Sequence, residues 1–219
     1  MFCAEGLAFQ SLVLFAGIIS VEEQAAQSIC ALLSTSLFLS SFGYHDASST
    51  LIGNAIGHTD IRLGTSQAWR VASIISMVTI VGAVFVLIPL FSFRLEIAAF
   101  LTQDESVRNL VAETLPIVFI SYVLETIQLQ RQGVIRGLNL QARACKFTVF
   151  SYWVIGIPLA LLFAFKKDKG IEGLRVGLLV TQLLLVSLYS ILIDGLTNWE
   201  DVWHEVQQRL GRDLTYLEK

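Results

Sequence analysis

Ser121–Lys146 reads SYVLETIQLQRQGVIRGLNLQARACK, and the fold has to be read around it. The stretch sets a lone carboxylate, Glu125, inside an apolar run, then leaves that run through Gln130, Arg131, Gln132 and Gly133-Val134-Ile135-Arg136-Gly137. A charged side chain at the centre of a hydrocarbon core costs roughly 3 kcal/mol on insertion scales, so such a group faces a bundle interior or a watery cavity. Two assignments are open for Glu125: a functional site, or a structural partner for Arg131 or Arg136 one or two turns further on.

The rest of the chain decides what kind of core surrounds that carboxylate. Of 219 residues, 54% are hydrophobic and only 15% charged. With a mean hydropathy of +0.66, this lies well beyond the composition of a soluble domain and reads as a multi-pass membrane protein. The net charge is −3 and the basic residues are scattered singly, which excludes a nucleic-acid surface. Cys3, Cys30 and Cys145 stand apart, with no CxxC or Cys/His ligand spacing, so packing is expected of them and no metal or cofactor site. No nucleophile–base pair or ligand cluster falls within the apolar runs, and His45, His58 and His204 are far apart, which argues against an enzyme. The N-terminus lacks a basic region before its first apolar run and an obvious cleavage site, so no signal peptide is expected.

Six spans follow: five uncharged runs, Gly6–Val21, Gln24–His45, Val71–Phe93, Phe147–Phe165 and Val176–Ile193, and one helix, Val107–Val134, that carries charges within it. The second is rich in Ser and Thr and should face protein. After it, Gly53 and Gly57 form a GxxxG expected to serve as a helix-packing face, while the missing Gly-Lys-Ser/Thr ending excludes a phosphate loop. Ser92–Arg108 reads as a polar connection with Thr102 as N-cap of the next helix, which Pro116 interrupts and which carries Glu113 nearer one end. The fifth span contains Tyr152-Trp153-Val154-Ile155-Gly156-Ile157-Pro158, a Gly/Pro interruption of the kind that marks a hinge or cavity in transporters, or is simply tolerated by neighbouring helices.

Residues 197–219 read as an amphipathic tail, with Trp199, Val202, Trp203, Val206 and Leu210 on one face and Thr197 and Glu200 spaced for a capping box. It should lie along the membrane interface. Placing it in the cytoplasm groups Arg62, Arg70, Arg131, Arg136, Arg143, Lys146, Arg209, Arg212 and Lys219 inside, against Arg94, Arg108, Lys166, Lys167 and Lys169 outside, so both termini are expected inside.

Three segments in register carry a family resemblance. Ala47-Ser-Ser-Thr-Leu-Ile-Gly-Asn-Ala-Ile-Gly57, Gln132-Gly-Val-Ile-Arg-Gly137 with Gln141 after it, and Tyr152-Trp-Val-Ile-Gly-Ile-Pro158 resemble the second half of multidrug and toxic compound extrusion (MATE) transporters. Cys3-Ala-Glu5, Phe9-Gln10 and Gln27-Ser-Ile-Cys30 resemble the seventh and eighth helices of the eukaryotic branch. The likeness runs over residues 1–196 and implies an all-α polytopic bundle that is one six-helix lobe of a two-lobe transporter. It further implies export of organic cations in exchange for protons or sodium, in a plasma, vacuolar or vesicular membrane. The partner would then be a missing N-terminal lobe or a second copy, since no internal repeat supplies the first lobe. A transport-inactive, truncated membrane protein with a structural or interaction role is the alternative.

By this resemblance Glu125 matches an acidic residue of the family's tenth helix and Glu5 one of the seventh, both tied to cation recognition and ion coupling. Gln10 stands where the eukaryotic family usually has a second Glu, Leu32 where animal members can have another, and Leu51 where an Arg often precedes Gly-Asn. Gln10 can hydrogen-bond a substrate but cannot exchange a proton.

Overall fold

In hydrocarbon every backbone N–H and C=O must be satisfied within the chain, which leaves helices or closed barrels. This chain takes the first course: 92% of its described residues are helical and none lies in a strand. The computed structural model describes residues 2–58 and 60–217, with side chains through residue 208.

The helices are α1 (Phe2–Ile19), α2 (Val21–Ile56), α3 (Ile61–Ser92), α4 (Arg94–Leu101) and α5 (Glu105–Gly137). A continuous helical run, Gln141–Lys166, follows, built from α6 (Gln141–Val149), π-helical turns (Phe150–Gly156), α7 (Ile157–Leu161) and further π turns (Leu162–Lys166). The chain closes with α8 (Gly170–Ser190), a π turn (Ile191–Gly195) and α9 (Trp199–Leu217). Six of these, α1, α2, α3, α5, the Gln141–Lys166 run and Gly170–Gly195, are long and apolar enough to cross a membrane. The protein is an integral, multi-pass membrane protein.

The number of spans agrees with the sequence, but their ends do not. Charges marked the expected boundaries, whereas local caps set the real ones. Ser20 accepts from the Glu23 N–H to open α2, and Asp60 accepts from the N–H groups of Arg62 and Leu63 to open α3. Asp46, Arg70 and Arg175 therefore lie inside helices rather than between them. The 36-residue α2 would be about 54 Å long, well beyond a ~30 Å hydrocarbon core. Before α5 the cap is Asp104, which accepts from the Val107 N–H, and not Thr102, whose hydroxyl accepts from the Asp104 N–H. The connection preceding it holds the short helix α4.

Neither Pro116 nor Pro158 ends its helix. Pro116 sits inside a continuous α5, where the loss of one N–H is tolerated by a helix packed against neighbours. Around Pro158 the helix widens instead: the Ile157 N–H reaches back five residues to the Tyr152 carbonyl, the π-turn spacing that accommodates a missing donor.

The layout is organised around α5. Half of its apolar window is buried, against 17% of that of α3. The exposed face of α3 carries Ile74, Met77, Val81, Phe85 and Ile88, a helical stripe suited to lipid. Where α2 crosses α5, Gly133 and Gly137 let the backbones meet. A Cβ at Gly133 would run into the His45 carbonyl oxygen, and one at Gly137 would lie 2.8 Å from Ile52 Cβ. The expected Gly53/Gly57 packing face is not used in this way: a Cβ at Gly53 meets nothing within 4 Å, and one at Gly57 meets only carbonyls of its own helix. Gly133–Gly137 is thus a helix-crossing motif.

The tail α9 docks against the α2–α3 turn. Trp203 Nε1 donates to the His58 carbonyl at 2.7 Å, Trp199 stacks edge-on to Trp69 at 5.6 Å, and Val202 is buried. Leu210, placed by sequence on the same face, lies outside the described side chains. No Thr197–Glu200 capping box forms: Asn198 Oδ1 accepts from the Glu200 N–H, and the Thr197 hydroxyl donates to the Leu192 carbonyl.

Candidate functional site

The opening residues of α1 repeat at helical spacing. Phe2, Glu5, Gly6 and Phe9 share one face, with Gln10 beside it, and that face turns toward α2 and α5. From α2 come Ala31, Ser34, Thr35, Phe38 and Phe42, again one face, and from α5 comes Glu125. Together they line a cavity of about 330 Å³. Glu5 and Glu125 are 3% and 5% exposed, so both carboxylates are buried in its wall, while Gln10 is exposed at its edge. The structure thus brings all three residues singled out from the sequence to one cavity.

Its walls are aromatic as well as acidic. Phe2, Phe38 and Phe42 form a cluster with ring centroids 5.1 to 6.4 Å apart, and His45 packs on Phe2 at 5.4 Å. Aromatic faces beside desolvated carboxylates make a surroundings that favours organic cations, through ring quadrupoles and Coulomb attraction in low dielectric.

The two carboxylates are held differently. Glu5 is ringed by neutral donors: Gln128 Nε2 at 2.5 Å and the Tyr152 hydroxyl at 3.0 Å on Oε1, with Gln132 Nε2 at 3.3 Å on Oε2. The network continues from Gln132 to the Tyr189 hydroxyl at 3.5 Å and from Tyr189 to Thr148 at 2.7 Å. Trp153 Nε1 donates to the Ala4 carbonyl at 3.0 Å, fixing the turn of α1 that carries Glu5. Glu125, by contrast, forms no hydrogen bond or ion pair among the described residues and faces the cavity. The structural partners considered for it are elsewhere: Arg136 is exposed, and Arg131 lines a separate cavity of about 240 Å³ with Trp69, Ser76 and Asp194.

Several residues of the site escape a sequence reading. Gln128 and Gln132 follow Glu125 by three and seven positions, a helical spacing that marks them as face neighbours, yet the hydrogen bonds run to Glu5. Tyr152 lies within the Tyr152–Pro158 motif, but nothing in that motif tells which carboxylate it meets. Arg175 is buried in α8, where Nε donates to Gln27 Oε1 and Nη1 to Ser34 Oγ, both at 3.0 Å. It lies one residue before the expected Val176–Ile193 span, where its role does not show in the sequence. Among the described residues no group of three or more His, Cys, Asp or Glu is arranged to hold a metal.

The fold and this cavity define a helical, membrane-embedded bundle with paired carboxylates in its interior. The MatE family model matches residues 1–162, and the chain belongs to the MatE family, whose members are transporters and not enzymes. It is 32% identical to Protein DETOXIFICATION 9 of Arabidopsis thaliana, covering 99% of this chain and 44% of that one. To Multidrug and toxin extrusion protein 1 of Homo sapiens it is 27% identical, covering 94% of this chain and 35% of that one. The crystal structure of the eukaryotic MATE transporter AtDTX14 has the same fold, with a TM-score of 0.86 at 24% identity over 92% of this chain and 44% of that one. The chain thus spans less than half the length of these relatives.

Proposed function

We propose that the chain is the C-terminal lobe of a secondary active antiporter that exports organic cations in exchange for protons or sodium by alternating access. Glu5 and Glu125 hold the cation or the coupling ion, and Gln10 offers a hydrogen bond to the substrate at the cavity edge. The observation that carries this is the convergence of two buried carboxylates, from α1 and α5, on one cavity lined by aromatic rings. The extrusion proteins among its relatives support the direction of transport.

The chemistry follows from competition. A carboxylate in low dielectric binds a proton or a cation but gains little from both at once, so occupancy by one expels the other. That exclusion becomes exchange when the cavity opens alternately to the two sides of the membrane. A second lobe, or a second copy, would close the open side of the cavity, and the tail beyond residue 197 would lie in the cytoplasm.

The test is Glu125→Gln in the complete transporter that contains this lobe, followed as pH-driven or sodium-driven efflux of a fluorescent cation from vesicles. Loss of ion-driven efflux is expected; undiminished efflux would overturn the coupling role.

A further inference from the structure

A buried guanidinium usually meets a carboxylate that offsets its desolvation. Arg175 does not. It is 1% exposed, its Nε and Nη1 are met by the neutral oxygens of Gln27 and Ser34, and its Nη2 is buried without a partner. No carboxylate lies within ion-pair distance of it among the described residues. Ser34 is the hinge of the observation, because the hydroxyl that receives Arg175 belongs to a residue of the cavity wall, the wall that also carries Glu125. Arg175 is thus tethered to the wall that carries Glu125, with no ion pair between the two.

Glu5 is supplied with three neutral donors, whereas Glu125 has none among the described residues. Among the described residues, the positive charge set against the wall that carries Glu125 is the Arg175 guanidinium behind it. With both carboxylates ionised, the guanidinium leaves the cavity one net negative charge, which a single monovalent cation or a single proton neutralises. A dication would leave an excess positive charge in a low-dielectric site, where an unbalanced charge is costly.

Resting on the cation-site reading above, we propose that Arg175 is the fixed counter-charge of this cavity: tethered behind the wall by Gln27 and Ser34, it sets selectivity for monovalent over divalent organic cations. It is a positioning residue that acts through Glu125 and does not touch the substrate.

Two probes of nearly equal shape test this: methyl viologen, a dication, and its mono-N-methyl bipyridinium analogue, a monocation. Binding of each is measured by equilibrium dialysis against the 219-residue chain in lipid nanodiscs. In R175Q the preference should move toward the dication by about tenfold or more, as expected for removing one nearby charge in a partly desolvated site. R175K, which keeps the charge, should leave the ratio within about twofold of wild type. E125Q should weaken both probes, and adding R175Q to E125Q should restore binding, because the double variant regains a net negative cavity. This rescue decides the matter even where R175Q alone misfolds, since removing both buried charges together is tolerated better than removing one.

Equal weakening of both probes by R175Q, a ratio shift in R175K as large as in R175Q, or failure of R175Q to rescue a folded E125Q would each overturn the counter-charge role alone. Absence of binding of either probe to the wild-type chain would overturn the cation-site reading and the counter-charge role together.

Discussion

The Tyr152 hydroxyl donates to Glu5 Oε1 at 3.0 Å, joining the π-helical turn of the fifth span to the start of the first. The next residue, Trp153, donates from Nε1 to the Ala4 carbonyl, also at 3.0 Å. The π turn widens the helix so that two consecutive side chains reach the same stretch of α1. One carboxylate of the cavity is therefore set by a distant helix as much as by its own.

Tyr152→Phe should cost about 0.5 to 1.5 kcal/mol of stability, the net worth of a buried hydrogen bond, while the ring keeps its packing. Thermal unfolding in detergent reads the loss, and cation binding should change with it because Glu5 loses a donor. Unchanged unfolding and unchanged binding together would show that the hydroxyl does not hold Glu5.

Gly133→Ala and Gly53→Ala form a matched pair. At Gly133 the added methyl meets the His45 carbonyl and Ser48 Cβ where α2 and α5 cross; at Gly53 it meets nothing within 4 Å. The first should destabilise by roughly 1 to 3 kcal/mol, as overpacking does. The second should be neutral or stabilising by up to ~1 kcal/mol through helix propensity. The same unfolding assay separates them, and equal effects would contradict the helix crossing described.

Trp203→Leu removes the bond to the His58 carbonyl and the indole that packs over Gly64. Faster hydrogen exchange and proteolysis confined to α9 are expected, with cation binding unchanged, because Trp199, Trp203 and Gln207 anchor the tail on Ile193, Gly57, His58 and Trp69, none of which lines the carboxylate cavity. A drop in binding would mean that tail and cavity are coupled.

Gln10→Glu adds a third carboxylate at the cavity edge. It should tighten binding of a monovalent organic cation several-fold, an effect that weakens as salt screens this exposed position. Insensitivity to both the substitution and salt would place the cation away from Gln10.

The number of spans and Glu125 were legible because apolar runs and an isolated carboxylate are strong local signals, whereas Glu5 and Gln10 stood out through the family resemblance. Glu125 stood out as a charge in an apolar run, and Glu5 and Phe9 fall on one helical face. What could not be read depends on contacts between distant segments. Arg175 marked the expected start of a span, yet α8 begins at Gly170 and buries it. Likewise the GxxxG at Gly53 and the one at Gly133 look alike in sequence, and only the crossing of α2 and α5 shows which of them packs. Helix ends moved for a related reason: Ser20, Asp60 and Asp104 cap through one or two hydrogen bonds each, which a count of charges does not register.

Competition at the cavity tests the central claim most directly. A fluorescent monovalent cation bound to the chain in nanodiscs is titrated with acid and, separately, with sodium at constant ionic strength. The wild-type chain should release the cation to one of the two ions, and a Glu5→Gln, Glu125→Gln double variant should bind it at least about tenfold more weakly, a loss of ~1.4 kcal/mol or more. Binding that neither ion displaces, and that survives in the double variant at wild-type affinity, would contradict the account.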